Sequence, residues 1–410
     1  MTPTGPTRRR LSRPLLTLGT ATALFTAGLA APATATAASV LVVGAPGPNC
    51  PGAQYSTIQD AVDAASAGDT VRVCAGTYPE PVTVGKTLTF RGAQAGVDAR
   101  TGRTDAARES VVSAPSGIDV SSGTGGVTVD GFTVRDSLDD GIDAFSGGSG
   151  WTFVNNVVTG NRYGINFQSP SGAATLVRHN RFTDNNRPSG GTGVFISNGP
   201  ADNTSITQNR FSGHDEADVN TAGSTADHSS GLSITGNASV NSATFAVLVN
   251  ADGTPVTGNT VQRTGGTAPQ GSGVFVGAGT TGVQISGNVI SGGDATGIRV
   301  TNLFGPDAST GLNVRQNIIQ NRQTGIDVSD LASGTFAQNQ ISRSTADGIH
   351  VNAPGTPGLN SGLVFRSNIV LRSANLDATD LTTGPGTAGT SNTWTSNICA
   401  KRAPAGICVA

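Results

Sequence analysis

The stretch "TGIRVTNLFGPDASTGLNVRQNIIQNRQTGIDV" runs from Thr296 to Val328 and opens and closes on nearly the same five residues. "DGIHV" follows from Asp347. Upstream stand "SGIDV" from Ser116, "DGIDA" from Asp140, "YGINF" from Tyr163, "TGVFI" from Thr192 and "SGVFV" from Ser272. Weaker copies are "EADV" from Glu216, "AVLV" from Ala246 and "NLDA" from Asn375. A second phrase alternates with this one, as in "VQISGNVI" and "LNVRQNII". Its pivots are Gly131, Asn156, Asn180, Asn209, Asn237, Asn259, Asn288, Asn317, Asn339 and Asn368, 22 to 29 residues apart.

A period of this length is the mark of a solenoid. Each period carries three short apolar alternations, which are strand signals too short for helices. Three strands and three turns per period wind into a triangular coil, and stacked coils pair each strand in parallel with its copy. The expected fold is therefore all-β: a right-handed parallel β-helix of about eleven three-strand coils. The pivot Asn is read as a turn residue, because Asn and Gly tolerate the left-handed backbone best. Gly131 is read as filling one Asn slot, and the Asn side chains are expected inside the turns.

A solenoid exposes an apolar cross-section at each end and needs caps. "YSTIQDAVDAASAGDTV" supplies a short N-terminal capping helix. Ser56 and Gln59 have the spacing of a capping box, and Ile58, Ala61, Val62 and Ala65 share one helical face. Trp394 and the segment between Cys399 and Cys408 are placed over the last coil.

The composition fits this reading. The chain has 410 residues with 57 Gly, while aromatics are only 5%, so the core must be built mainly of aliphatic side chains. Residues 1–37 read as a secretory signal peptide: Arg8, Arg9, Arg10 and Arg13 precede an apolar run and A-x-A sites. "TRRRLSR" leans towards the twin-arginine type. Of 25 Lys and Arg against 27 Asp and Glu, that segment takes four Arg and no acid, leaving 21 against 27. So acidic a balance argues against nucleic acid as a partner. No later apolar run is long enough to span a membrane. Residues 38–395 are expected to form the β-helix and 396–410 a Cys-closed tail, in a secreted monomer.

Four Cys in an exported chain suggest two disulfides. Three pairings exist, and Cys50–Cys74 with Cys399–Cys408 close the smallest loops. No C-x-x-C spacing supports a metal site instead.

The repeat phrases and "YSTIQDAVDAASAGDTVRVCAGTYPEPVTVGKTLTFRG" resemble the secreted pectin-lyase-like superfamily, in its parallel β-helix repeat branch. The resemblance spans residues 50–408. It implies the β-helix fold and two functional classes. One is an enzyme that cuts or epimerises polysaccharide, such as a lyase or hydrolase for acidic glycans. The other is a non-catalytic β-helix that binds glycans or another surface. "DDG" at Asp139–Gly141 is a fragment of the polygalacturonase carboxylate motifs, and its partners are not found.

In "G-I-x-V" the Ile and Val face inward and x faces outward. Stacked, x forms a displayed column: Asp119, Asp143, Asn166, Phe195, Asp218, Leu248, Phe275, Arg299, Asp327, His350 and Asp377. Its first zone, Asp119 and Asp143 with Asp139 and Asp140, can hold Ca²⁺ or stand as solvated acids. Its middle offers Phe195 and Phe275, with Tyr163, as a platform for sugar rings. Loops at 183–193 and 262–273 can instead cover them. His214, Asp215, Glu216 and Asp218, with His228, form an alternative acid–base or metal cluster, or stand on a solvated loop. The third zone, Arg299, Asp327, His350 and Asp377, combines a cation, a base and orienting acids on consecutive coils. It is the expected catalytic site, against the alternative of a plain surface charge ladder. No cofactor beyond Ca²⁺ is implied.

Overall fold

The computed structural model describes residues 37–409, except 104, 122, 146, 171, 224–226 and 263–270. The expected signal peptide and most of the 262–273 loop thus lie outside the described residues. Ala38–Ala410 is one compact unit.

Alternation along each short strand turns one row of side chains inward and the next outward. Among the described residues the strands assemble into three parallel sheets of 14, 13 and 13 strands. The first sheet holds strands such as Thr152–Val154, the second Val157–Thr159 and the third Tyr163–Ser169. The chain visits them in that order and then climbs one coil. Thirteen coils exceed the eleven expected because the end coils lack the full repeat phrase. Ile398–Cys399 and Arg402–Ala403, inside the expected tail, supply the last strands of two sheets.

The core is a set of columns parallel to the coil axis. On the first sheet Val129, Phe153, Val177, Ile206 and Ile234 stack in register and are fully buried. The column ends on Phe336, Phe365 and Trp394, whose rings stack at 4.7 and 4.1 Å. Trp394 Nε1 donates to Asp380 Oδ2 at 2.8 Å, which anchors this terminal ring.

The first turn, between the first and second sheets, carries the Asn ladder. Each Asn Oδ1 accepts from the backbone N–H and the Nδ2 of the Asn one coil earlier. For Asn317 these partners are Asn288 N and Nδ2, at 3.0 and 2.9 Å. Asn317 Nδ2 in turn donates to Ile285 O and to Asn339 Oδ1. The ladder runs from Asn156 to Asn397, all buried. The backbone reading needs correction by one position. The left-handed residue precedes the ladder Asn: Asn155 has φ +57°, His179 +57° and Gln208 +53°. Gly131, at φ +79°, matches Asn155, and Phe132 stands in the ladder slot with its N–H on Asn156 Oδ1. A Cβ on Gly131 would come within 2.1 Å of Ala95 N, so close approach of the backbone also demands Gly there.

At the N-terminal end the helix Ile58–Ala64 buries Ile58, Ala61 and Val62, with Ala65 just beyond it. The cap is Thr57 rather than Ser56: its side chain accepts from Asp60 N at 3.1 Å. Glu80 takes the place of the expected reciprocal bond, accepting from Ile58 N and Gln59 N at 2.7 and 3.3 Å. Lys86 Nζ binds the carbonyls of Val62, Asp63 and Ala65 at the other end. Both charges complement the helix dipole. Cys50–Cys74 and Cys399–Cys408 are disulfide-bonded as expected. Two disulfides fit an oxidising compartment. No helix among the described residues is long and apolar enough to cross a membrane.

Candidate active site

The third sheet carries the displayed column, and strand pairing fixes its members. Asp119, Asp143, Asn166 and Phe195 stand in register, followed by Asn220, Val247, Phe275, Arg299, Asp327, His350 and Thr379. Three expected members are therefore replaced. Asp218 is buried, and Asn220 takes its slot. Leu248 faces the core, and Val247 takes its slot. Asp377 is buried as a turn acceptor for the N–H groups of Ser373, Ala400 and Lys401, and Thr379 takes its slot. These are the degenerate copies of the phrase, where a shift of register leaves apolar residues inside either way.

The first zone forms a cleft of about 340 Å³ lined by Asp139, Asp140, Asp143, Arg162, Tyr163 and Phe195, among others. Asp140 stands at the strand start, three residues before Asp143. Its Oδ2 accepts from Asn166 Nδ2 at 2.7 Å, and Asn166 Oδ1 accepts from Ser197 Oγ at 2.7 Å. The other oxygen, Asp140 Oδ1, is buried with no partner among the described residues. Burial pushes the Asp140 carboxyl up to about 7, with Asp143 and Asp139 adding to the shift against the Asn166 bond. Burial likewise takes Asp143 up to about 6, against a bond from Phe145 N. Asp119, raised by burial and by Asp139, lies beside Asp143.

Asp139 is drawn away to Arg162 Nη1 at 2.8 Å. Arg162 Cζ also stands 4.7 Å from the centroid of the Tyr163 ring. The four acids do not converge as a Ca²⁺ cage: no group of three or more His, Cys, Asp or Glu among the described residues is placed to hold a metal. Tyr163 packs 4.5 Å from Phe195, centroid to centroid, and its hydroxyl donates to Ser189 O at 3.1 Å. The 183–193 loop therefore meets this pair at Ser189. Phe275 is no platform. It is buried with Ala217, Val247 and Val249, and Phe304 meets it edge-on at 5.7 Å.

The alternative cluster comes apart. His214 is buried, not on a solvated loop. Asn185 Nδ2 lies 3.2 Å from its Nε2, so Nε2 is the acceptor and Nδ1–H points to Asp218 Oδ1 at 2.7 Å. His214 continues a second internal ladder, at the second turn, made by Ser137, Asn161 and Asn185. Asp215 is exposed, and Glu216 accepts from Thr192 and Asn220. His228 pairs with Asp252 at 3.1 Å at another turn.

In the third zone Arg299, Asp327 and His350 are adjacent in register, as expected. Arg299 Nε approaches Asp327 Oδ2 at 4.0 Å. Asp327 Oδ1 accepts from Asn352 Nδ2 at 2.8 Å. The acid that orients His350 is Asp347, 2.8 Å from Nδ1. Sequence reasoning missed Asp347, Asn352, Arg162 and Ser197. The "DGI" phrase shared by Asp140 and Asp347 was the available signal, since it puts an acid three residues before the displayed position in both zones.

The sequence model described as "Right handed beta helix region" matches residues 83–242, 202–370 and 245–409. The chain belongs to this right-handed β-helix family, within the pectin-lyase-like superfamily. No curated protein matches it in sequence. Among solved structures it is similar to the catalytic unit of a thermostable GH87 α-1,3-glucanase from Streptomyces thermodiastaticus, at 16% identity and TM-score 0.53. That match covers 76% of this chain and 64% of the glucanase unit, so this chain spans under two thirds of it. A GH87 α-1,3-glucanase catalytic domain solved with tetrasaccharides matches at 13% identity and TM-score 0.53, covering 88% of this chain and 70% of that one. A periplasmic alginate epimerase matches at 12% identity and TM-score 0.45, covering 80% and 77%.

Proposed function

We propose that this is an exported polysaccharide-acting β-helix protein that hydrolyses glycosidic bonds in the Asp119–Asp140–Asp143 cleft. The observation that carries the reading is the placement of two carboxyls on one strand in one cleft, both raised by burial: Asp140, bonded to Asn166, and Asp143, beside Asp119. Asp140, the more deeply buried, is assigned the acid and Asp143 the base, the division of labour glycoside hydrolysis needs. Asp140, raised by burial and held at Oδ2 by Asn166, is the carboxylic acid that serves the leaving glycosidic oxygen. Asp143, beside Asp119, serves the opposite role towards water or the sugar carbon. Tyr163 and Phe195 offer an aromatic edge to the ring, and Arg162 pairs with Asp139 at the cleft wall.

The charge of the cleft selects the substrate class. Four acids face one Arg, so an ionised uronate is repelled there and a neutral glucan is not. The likeness of fold to α-1,3-glucanases supports the same choice. The test is release of reducing ends from a panel of neutral and acidic polysaccharides. The expected result is hydrolysis of a neutral glucan with a bell-shaped pH profile centred between about 6 and 7, lost by at least ~100-fold in Asp140→Asn. No hydrolysis of any neutral glucan, or hydrolysis that survives both Asp140→Asn and Asp143→Asn, overturns it. Binding without turnover would favour the glycan-binding class instead.

A further inference from the structure

The second sheet carries a charged recess unrelated to the acidic cleft. The segment 92–109 folds back across this sheet: Ala99 N donates to His179 O at 3.1 Å, and Arg103 reaches Asn155 O. At its edge lies a hollow of about 420 Å³, lined by Arg100, Arg181, Arg210, Thr159, Thr183 and Ser212 together with Val157. Arg181 and Arg210 are directly opposed in parallel register, and Thr183 and Ser212 are opposed two residues on. Adjacent strands stand about 4.8 Å apart, so the two guanidinium stems rise side by side.

The charges there do not cancel. Arg100 is matched by Asp98 at 2.6 Å, and Arg103 by Glu109. Neither Arg181 nor Arg210 has a carboxylate partner among the described residues. Arg181 Nη2 donates to Arg103 O at 3.1 Å, which fixes its direction, while Arg210 is exposed and makes no side-chain bond there. Two like charges on neighbouring strands repel, and no folding role of Arg210 accounts for the arrangement. Burial, with the Arg103 and Arg210 charges and against that of Glu109, pulls Arg181 below its ordinary range.

We propose that this recess binds a tetrahedral oxyanion, a sulfate or phosphate group, between Arg181 and Arg210. Arg210 supplies the mobile fork and Arg181 the fixed one. The hydroxyls of Thr159 and Thr183 add donors on the next outward row, with Ser212 Oγ donating to Thr183 Oγ1 at 3.3 Å. Several oxygens of one group can then be met at once, which a tetrahedral anion offers and a carboxylate does less well. The group can be free in solution or an ester on a glycan.

Calorimetric titration of the full chain at low ionic strength tests this, with inorganic sulfate, inorganic phosphate, a sulfated oligosaccharide and its desulfated form as probes. Sulfate or phosphate should bind with Kd below about 1 mM, and Arg210→Gln should weaken it by at least ~10-fold without changing the thermal midpoint. Asp140→Asn should leave the binding as it is, since that residue stands on another sheet. Tighter binding of the sulfated oligosaccharide than of inorganic sulfate assigns the source to a polymer; equal binding assigns it to the free ion. Absence of heat with every anion, or binding that Arg210→Gln leaves unchanged, overturns the proposal.

Discussion

His350 is held by Asp347, three residues earlier in the chain, through a 2.8 Å contact to Nδ1. Asp347 spends its other oxygen on Leu376 N at 3.0 Å, so the acid is fixed from two sides. His350 and Asp143 occupy the same displayed column eight strands apart, about 38 Å at the usual strand spacing. One glycosidic bond cannot be reached from both. His350→Ala should therefore leave hydrolysis within about threefold of the parent, while Asp140→Asn abolishes it. Steady-state assays of the two variants decide between the zones, and a His350-dependent reaction would move the site to Arg299, Asp327 and His350.

The raised acids make stability depend on pH in a particular direction. The folded chain keeps the Asp140 proton up to about 7, whereas the unfolded chain loses it near 4. The native state thus binds more protons in that window, and this residue's contribution to stability falls as pH rises from about 4 to about 7. Asp140→Asn removes that slope. Urea unfolding should show the variant gaining on the parent by up to ~4 kcal/mol between pH 4 and pH 8. A difference that does not change with pH would mean that Asp140 ionises normally.

The Asn ladder should be costly to interrupt. Asn317→Ala leaves Asn288 N and Nδ2, Ile285 O and Asn339 Oδ1 each short of a partner inside the protein. Buried groups left unpaired cost about 1–3 kcal/mol each, so a loss of roughly 3–5 kcal/mol is expected after partial relaxation. Chemical denaturation measures it. A loss below about 1 kcal/mol would show that water replaces the amide.

The two ends should respond separately. Trp394→Ala removes the last ring of the Phe336–Phe365 stack and should cost about 3–5 kcal/mol. Glu80→Ala frees two N–H groups at the start of the capping helix and should cost about 1–2 kcal/mol. Hydrogen exchange should place the first opening at residues 363–409 and the second at residues 40–84.

Much of this was readable from the letters because the coil repeats its geometry with a single residue type at the first turn. Asn156 to Asn368 announce the period, and the apolar alternation around them announces the strands. The second turn repeats its geometry with Ser137, Asn161, Asn185 and His214, so the letter changes along it and His214 looks like a free imidazole. The displayed column was legible where the phrase is clean, at Asp119, Asp143, Arg299, Asp327 and His350. It failed at Asp218, Leu248 and Asp377, where small or apolar neighbours allow two frames. Burial of Asp140, which sets its chemistry, depends on Asn166 one coil away and is not local to any motif.

Beyond the insertion at residues 92–109, the first turn is two residues long in every coil from Asn155 and Asn156 to Ser396 and Asn397, while coil length varies. Over those coils the molecule therefore has one inextensible edge, and insertions fall at the other two corners. Foreign loops grafted at those corners inherit a fixed pitch along the stack without disturbing it. The protein behaves as a ruler whose graduations are set on one side and whose attachments hang from the others.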